Sequence, residues 1–326
     1  MAIKTAQNPT KGIKVAEKSS QSNFSKRWLR AIGFYRGFLL VSFMPVSLGA
    51  TVAWWSQHVF FPGLFALTLA AVWAVHIGAN LINDYYDHIS GTDDINEVRT
   101  PFSGGTRVIQ ESLLPPKPIK IVGYSAFVAG GALLIALALL TGWPILALAA
   151  LGIGSSIAYS AKPVWLSYRG LGEFVLGLNF GPFLVLTAYY VQAKSFPLES
   201  VTAGLIMGLF SSAIITINEV PDIEADQKTG KYNLVARFGR KFGVRLWSIL
   251  LWGAMALICS AGAGGVFPKT TLFAMVMAIP IFLITRNAET KTRQLQGVIT
   301  RCRFTILSQV GTWLLLTAGF LMARAL

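Results

Sequence analysis

Apolar runs recur down the whole chain, with polar breaks between them. A helix needs about 20 apolar residues to cross a hydrocarbon layer about 30 Å thick. Windows of that kind fall near residues 31–54, 60–82, 119–140, 144–161, 171–191, 201–220, 243–263, 271–285 and 304–323. The pattern predicts an all-α polytopic membrane protein with nine transmembrane helices, the fourth and eighth of them short. The first 26 residues are rich in Lys, Ser and Gln and too polar for a cleaved signal peptide, so the first apolar run reads as a retained span. Residues 1–28 are expected to form a polar, basic tail without fixed structure, and residues 29–326 the membrane domain.

Composition sharpens this picture. Of 326 residues, 54% are apolar and 13% charged, and mean hydropathy is +0.57. Soluble domains carry about 25% charged residues. The balance excludes a disordered chain, a secreted disulfide scaffold and an ordinary cytosolic enzyme. The 31 glycines suit close helix packing in lipid. Cys259 and Cys302 form no CxxC spacing and read as packed thiols.

The net charge of +14 would suggest nucleic acid in a soluble protein. Here it sorts by side. With nine spans, 25 of the 28 Lys and Arg fall in the N-terminal region and in the loops after spans two, four, six and eight. Only Lys194, Lys269 and Arg324 fall opposite. This bias places the N-terminus and those loops on the cytoplasmic side, in the cytoplasmic membrane if the source is prokaryotic. The charge is a topology signal, and no nucleic-acid partner is expected.

The acids are the informative residues. Nine of 14 sit in two stretches, Asp84, Asp87, Asp93, Asp94 and Glu97, then Glu219, Asp222, Glu224 and Asp226. The runs are Asn80-Leu-Ile-Asn-Asp84-Tyr-Tyr-Asp87 and Asn218-Glu-Val-Pro-Asp222-Ile-Glu-Ala-Asp226. Each starts with Asn and places a carboxylate four residues on, then another. On a continuous helix these positions share one face. Like charges stacked this way repel, and a bound cation relieves them. Hard oxygen ligands at this density fit Mg²⁺ with phosphate, whereas no zinc spacing occurs. One acid at a helix end needs only water. Two clusters with the same spacing ask for a function.

Arg107, Lys162, Arg169, Lys228, Lys231 and Arg237 are candidate anion ligands in the same loops. Arg107, Lys162 and Arg237 rank higher because each follows an acidic cluster or abuts Tyr159 and the run starting at Tyr168. The Ser103-Gly-Gly-Thr106 turn offers backbone N–H groups. Carboxylates, Mg²⁺ and basic groups at the mouth of a lipid-facing bundle suggest a diphosphate with a hydrophobic tail. Tyr85, Tyr86, Tyr159, Tyr168 and Phe180 are candidates to line the pocket and stabilise a carbocation. His76, one turn before Asn80, either contacts the site or satisfies a neighbouring helix.

These runs, together with Gly-Thr-Asp-Asp after the first, Tyr168-Arg-Gly-Leu-Gly-Glu173, and Gln-Lys-Thr-Gly-Lys231 after the second, resemble the UbiA superfamily of intramembrane prenyltransferases. Within it, the Asn83-Asp-Tyr-Tyr-Asp87 stretch, Tyr168-Arg-Gly-Leu-Gly-Glu173 and Ala188-Tyr-Tyr-Val-Gln192 look most like the branch that prenylates 1,4-dihydroxy-2-naphthoate for menaquinone. The resemblance spans residues 30–323. It implies nine helices around a central cavity, with both Asp motifs at its cytoplasmic mouth. It implies two Mg²⁺ ions bridging those motifs to a polyprenyl diphosphate. By motif position, Asn80, Asp84, Asp87, Asn218, Asp222 and Asp226 would hold metal and diphosphate. Lys162, Lys231 and Arg237 would contact the diphosphate. Two departures stand out: Ser-Ala-Lys-Pro follows Tyr159 where the naphthoate branch has Gly-Gly-Pro, and Glu219 stands where relatives carry Asp. The acceptor therefore stays open among naphthoate, 4-hydroxybenzoate and homogentisate. Arg107 or Lys162 would hold its carboxylate, and Asp94 or Glu173 would assist proton removal. A transporter with a carboxylate cation site is the rival class, although transport sites lie near midplane.

Overall fold

The computed structural model describes residues 24–96, 98 and 100–326, with Arg36 described by its backbone alone. Residues 1–23, Glu97 and Arg99 lie outside the described residues, so most of the expected tail does too. Among the described residues, seven helices are long and apolar enough to cross a membrane, and two shorter apolar helices join them. We number these α1 (Phe38–Gln57), α2 (Pro62–Ser90), α3 (Pro116–Thr141), α4 (Pro144–Ser160), α5 (Gly172–Ala193), α6 (Leu198–Asn218), α7 (Leu234–Ala263), α8 (Lys269–Thr285) and α9 (Leu295–Ala325). Each expected window has its helix, and the two short ones are those expected. The protein is an integral, multi-pass helical bundle.

Several helices open with Pro at the first turn, where its missing N–H costs nothing: Pro62, Pro116 and Pro144. The main core lies between α1, α5, α6, α7 and α9, around Trp247, Phe210, Tyr189 and Met44. A smaller cluster joins α2, α3, α4 and α5. Helices α5 and α6 touch backbone to backbone, because a side chain at Gly181 would run into Gly204 and Gly208. At that contact α5 loosens into a π segment, Asn179–Phe183, holding Pro182. Such bulges absorb a proline and often mark functional sites.

Three expectations are corrected. The chain is already helical over residues 24–31, so a tail boundary at residue 28 falls inside a helix. Trp28, Ala31 and Ile32 pack on Ile109, Leu114 and Ile119, and Arg30 pairs with Glu111 at 2.7 Å. Second, α1 starts at Phe38 rather than near residue 31, since the chain turns through Gly33–Gly37 first. Third, Asn218, Asp222 and Asp226 do not share one continuous helix. Helix α6 stops at Asn218, and a turn leads into the short helix Ile223–Lys228, of which Asp222 is the N-cap. Pro221 explains the break, because it lacks an N–H and disfavours helical geometry before it. Asp226 N–H still donates to the Asp222 carbonyl at 2.9 Å.

Candidate active site

Helix α2 has 29 residues, about 44 Å at 1.5 Å per residue. That exceeds a hydrocarbon layer of about 30 Å, and its last turns are its polar end. Those turns carry Asp84 and Asp87, both buried. They border a cavity of about 340 Å³ walled by α1–α6. Its polar end holds Asn80, Asp84, Asp87, Asp93, Asn96, Asn218, Glu219, Asp222, Asp226 and Lys231. Its body is apolar, with Val72, Leu134, Leu148, Ile153, Leu176, Phe183 and Leu184.

The two acidic runs meet across this mouth. Lys231 Nζ lies 3.7 Å from Asp87 Oδ2 and 3.9 Å from Asp226 Oδ1, tying one run to the other. Thr92 Oγ1, just after α2, donates to Thr229 Oγ1 at 3.0 Å, and its hydroxyl also pairs with Tyr168 at 2.9 Å. The four aspartates of the two motifs are each oriented by a neutral donor. Asn83 Nδ2 donates to Asp87 Oδ2 at 3.1 Å, and Tyr168 OH to Asp87 Oδ1 at 3.3 Å. Asn96 Nδ2 donates to Asp222 Oδ1 at 3.0 Å. Asn233 Nδ2 donates to Asp226 Oδ2 at 2.7 Å, while its Oδ1 caps α7 by accepting from Ala236 N–H.

The loop after α2 folds back over Asp84. Thr106 N–H donates to Asp84 Oδ1 at 3.2 Å, and Thr106 Oγ1 donates to Asp84 Oδ2. Gly104 and Gly105 both take positive φ there, +79° and +62°. At Gly105 a Cβ would also press on Asp93, so the carboxylates can gather only against a bare backbone.

Electrostatics follow from this crowding. Six acids line the cavity, and Lys231 is the one Lys or Arg among its described lining residues. Burial, then the nearby Asp87 and Asp84, push the Asp93 pKa up to about 8. Burial, with Asp222 and Asp87 adding to it against Lys231, pushes Asp226 up to about 6. Burial raises Asp222 as well. Burial and then the neighbouring Glu173 carboxyl hold Glu219 well above its usual range. Burial alone would lower Lys231, but Asp87 and Asp226 outweigh it and the ammonium is held charged. The mouth thus carries more negative charge than its one ammonium offsets, and a cation would relieve it.

The donor set fits Mg²⁺. It is all oxygen, and Asn218 Oδ1 is buried without a partner. Among the described residues no three His, Cys, Asp or Glu side chains converge to hold an ion unaided. Mg²⁺ typically takes one or two carboxylates and completes its shell with water and phosphate oxygens.

Of the expected site residues, Asn80, Asp84, Asp87, Tyr159, Asn218, Asp222, Asp226 and Lys231 line the cavity, as do His76 and Phe180. Tyr168 acts from behind, on Asp87. Arg107 donates to the Asp93 carbonyl at 2.8 Å rather than lining the space. Lys162 is exposed, its Nζ 4.5 Å over the Trp165 ring. Arg237 is exposed and donates to the Arg169 carbonyl at 3.3 Å. Tyr85 and Tyr86 sit on another side of α2, near Lys120 and Tyr124. Asp94 pairs with His88 outside the lining. Sequence reasoning missed Asn96 and Asn233, whose roles depend on distant partners; it picked out the Ser103–Thr106 turn for its backbone N–H groups, and the Thr106 N–H reaches the Asp84 carboxylate. It counted Asp93 in the first cluster without assigning it a role.

Comparison with known proteins gives the family and the fold. Residues 42–297 match the model of the UbiA prenyltransferase family. The 1,4-dihydroxy-2-naphthoate octaprenyltransferase of Escherichia coli (strain K12) is 28% identical over 269 residues, covering 81% of this chain and 84% of that protein. The human UbiA prenyltransferase domain-containing protein 1 is 28% identical over 214 residues, 65% of this chain and 61% of that one. Among solved structures, a digeranylgeranylglyceryl phosphate synthase superposes with a TM-score of 0.64 at 16% identity, over 92% of this chain and 99% of that one. A UbiA homolog from Archaeoglobus fulgidus bound to GPP and Mg²⁺ gives 0.61 at 11% identity, over 89% and 99%. At such identities the structural likeness establishes the fold.

Proposed function

This chain belongs to the UbiA prenyltransferase family, and from that premise we propose that it transfers a polyprenyl group from a polyprenyl diphosphate to 1,4-dihydroxy-2-naphthoate, releasing diphosphate. The observation that carries the reading is the meeting of the two acidic runs across one cavity mouth, tied by Lys231. One diphosphate group can then engage both.

Asp84, Asp87, Asp222 and Asp226, with Asn80 and Asn218, would hold Mg²⁺, which supplies Lewis-acid charge to the leaving diphosphate. Lys231 keeps Asp87 and Asp226 close and offers an ammonium to phosphate oxygens. Thr106, Asn96, Tyr168 and Asn233 fix the carboxylates in advance, so little reorganisation is needed as charge builds on the departing group. The apolar walls receive the prenyl chain and keep water from the allylic cation as the C1–O bond breaks. Tyr159 and Phe180, in the same lining, present ring faces to that cation. An electron-rich ring carbon then bonds to C1. In the naphthoate case that carbon loses CO₂ in place of a proton, and the electron pair of the broken C–C bond restores the aromatic ring; at a carbon that bears hydrogen, a ring proton leaves instead. The Lys and Arg bias supports a cytoplasmic mouth.

The choice of naphthoate rests on the names of the relatives and on the Asn83–Asp87, Tyr168–Glu173 and Ala188–Gln192 stretches. The test is purified protein in detergent with one prenyl diphosphate, Mg²⁺, and naphthoate, 4-hydroxybenzoate or homogentisate, with products read by mass. The reading requires Mg²⁺-dependent prenylation, strongest with naphthoate. Product with another acceptor alone would reassign the substrate. No diphosphate release with any acceptor would end the enzyme reading.

A further inference from the structure

His76 lines the cavity four residues before Asn80, on the face of α2 that carries Asn80 and Asp84. At 1.5 Å per residue it lies about 6 Å deeper than Asn80 and about 12 Å deeper than Asp84 along the helix axis. Its ring is held from two sides. Nδ1 is 3.0 Å from Ser42 Oγ on α1. Phe180, from the π segment of α5, meets it edge-on with centroids 4.8 Å apart at 70°. The residue is 7% exposed. The one hydrogen bond the ring makes among the described residues is through Nδ1, which leaves Nε2 unpaired in a residue that lines the cavity. One turn up, Asn80 Nδ2 is buried without a partner.

A polar atom held toward an apolar space costs free energy unless something pairs with it. The prenyl donor cannot pair here. Its polar groups are all on the diphosphate, which belongs at the carboxylates, and its chain offers no hydrogen bond. The acceptor can, because its ring carries hydroxyls. We propose that His76 is an acceptor-binding residue: Nε2 hydrogen-bonds a ring hydroxyl and so sets which ring carbon faces the prenyl C1. This rests on the prenyl-transfer reading above. A hydroxyl both donates and accepts, so it pairs with either imidazole tautomer. Ser42 and Phe180 are positioning residues that fix the ring.

The test is steady-state kinetics of purified full-length protein with Mg²⁺, geranylgeranyl diphosphate and 1,4-dihydroxy-2-naphthoate. His76→Phe keeps an aromatic ring and removes the hydrogen bond. It should raise the acceptor KM about 10-fold, the value of one neutral hydrogen bond, and leave the diphosphate KM within about twofold. His76→Gln, which restores a polar group, should recover most of the loss. Ser42→Ala frees the ring, should raise the acceptor KM about threefold, and decides the matter where His76→Phe does not fold. An unchanged acceptor KM in His76→Phe or Ser42→Ala, or both KM values rising together in His76→Phe and His76→Gln alike, overturns the proposal. Wild-type protein that binds the diphosphate but prenylates no aromatic acceptor overturns the transferase reading, and this proposal with it.

Discussion

Replacing Gly105 by Ala separates carboxylate geometry from backbone strain. A Cβ at Gly105 would lie 2.5 Å from Asp93 Oδ2 and 3.2 Å from Asp84 Oδ1. Non-bonded heavy atoms rest about 3.5 Å apart, so the loop or the carboxylates must move by about 1 Å. A displacement of that size in a reacting constellation costs on the order of 100-fold in rate, or about 2.7 kcal/mol. Gly104 is the internal control. Its φ is also positive, at +79°, but the nearest atom to a Cβ there is Asn96 Nδ2, at 3.8 Å. Both alanines carry the left-handed penalty of about 1–2 kcal/mol, and only one enters the carboxylates. The assay is kcat/KM for prenyl transfer beside the unfolding midpoint in detergent. Both variants should lose stability, Gly105→Ala the more because of its overlap with Asp93, with the 100-fold activity loss confined to Gly105→Ala. Equal activity in the two variants would refute the claim that the loop backbone sets the Asp84–Asp93 geometry.

Asp84→Ala and Asp222→Ala should each abolish turnover while the protein still inserts in the membrane, measured by activity and by membrane fractionation. Lys231→Met strands Asp87 and Asp226, and breaking a buried pair costs about 3 kcal/mol or more. The unfolding midpoint should fall, the diphosphate KM should rise, and excess Mg²⁺ should restore part of both. Asn233→Ala removes the α7 cap and the donor to Asp226. It should cost about 1–2 kcal/mol and reduce kcat less than Asp226→Ala does.

The helices were legible because a bilayer imposes a length, and a run of apolar residues must meet it. Even the two short helices, α4 and α8, stand where hydropathy puts them. The acidic runs were legible as clusters, but their backbone was only half so. Asn80, Asp84 and Asp87 do share the end of α2, whereas Pro221 breaks the second run, and that proline is plain in the sequence. What local pattern does not carry is partnership across the chain. Thr106 reaches Asp84 from 22 residues away, and Asn96 reaches Asp222 across 126. Lys162 and Arg237 ranked high by nearness in sequence, yet exposure is decided by how the loops fold. Lys231 carries no stronger local signal than they do, and it is the one placed between the two runs.

The central claim is that two distant aspartate runs grip one metal-bound diphosphate together. Calorimetric titration of the detergent-purified protein with a non-hydrolysable prenyl thiolodiphosphate tests it most directly, with Mg²⁺ and with EDTA, in wild type, Asp84→Ala and Asp222→Ala. The account predicts binding that needs Mg²⁺ and is lost in both variants. Binding that survives EDTA, or that either variant retains at wild-type affinity, would contradict it.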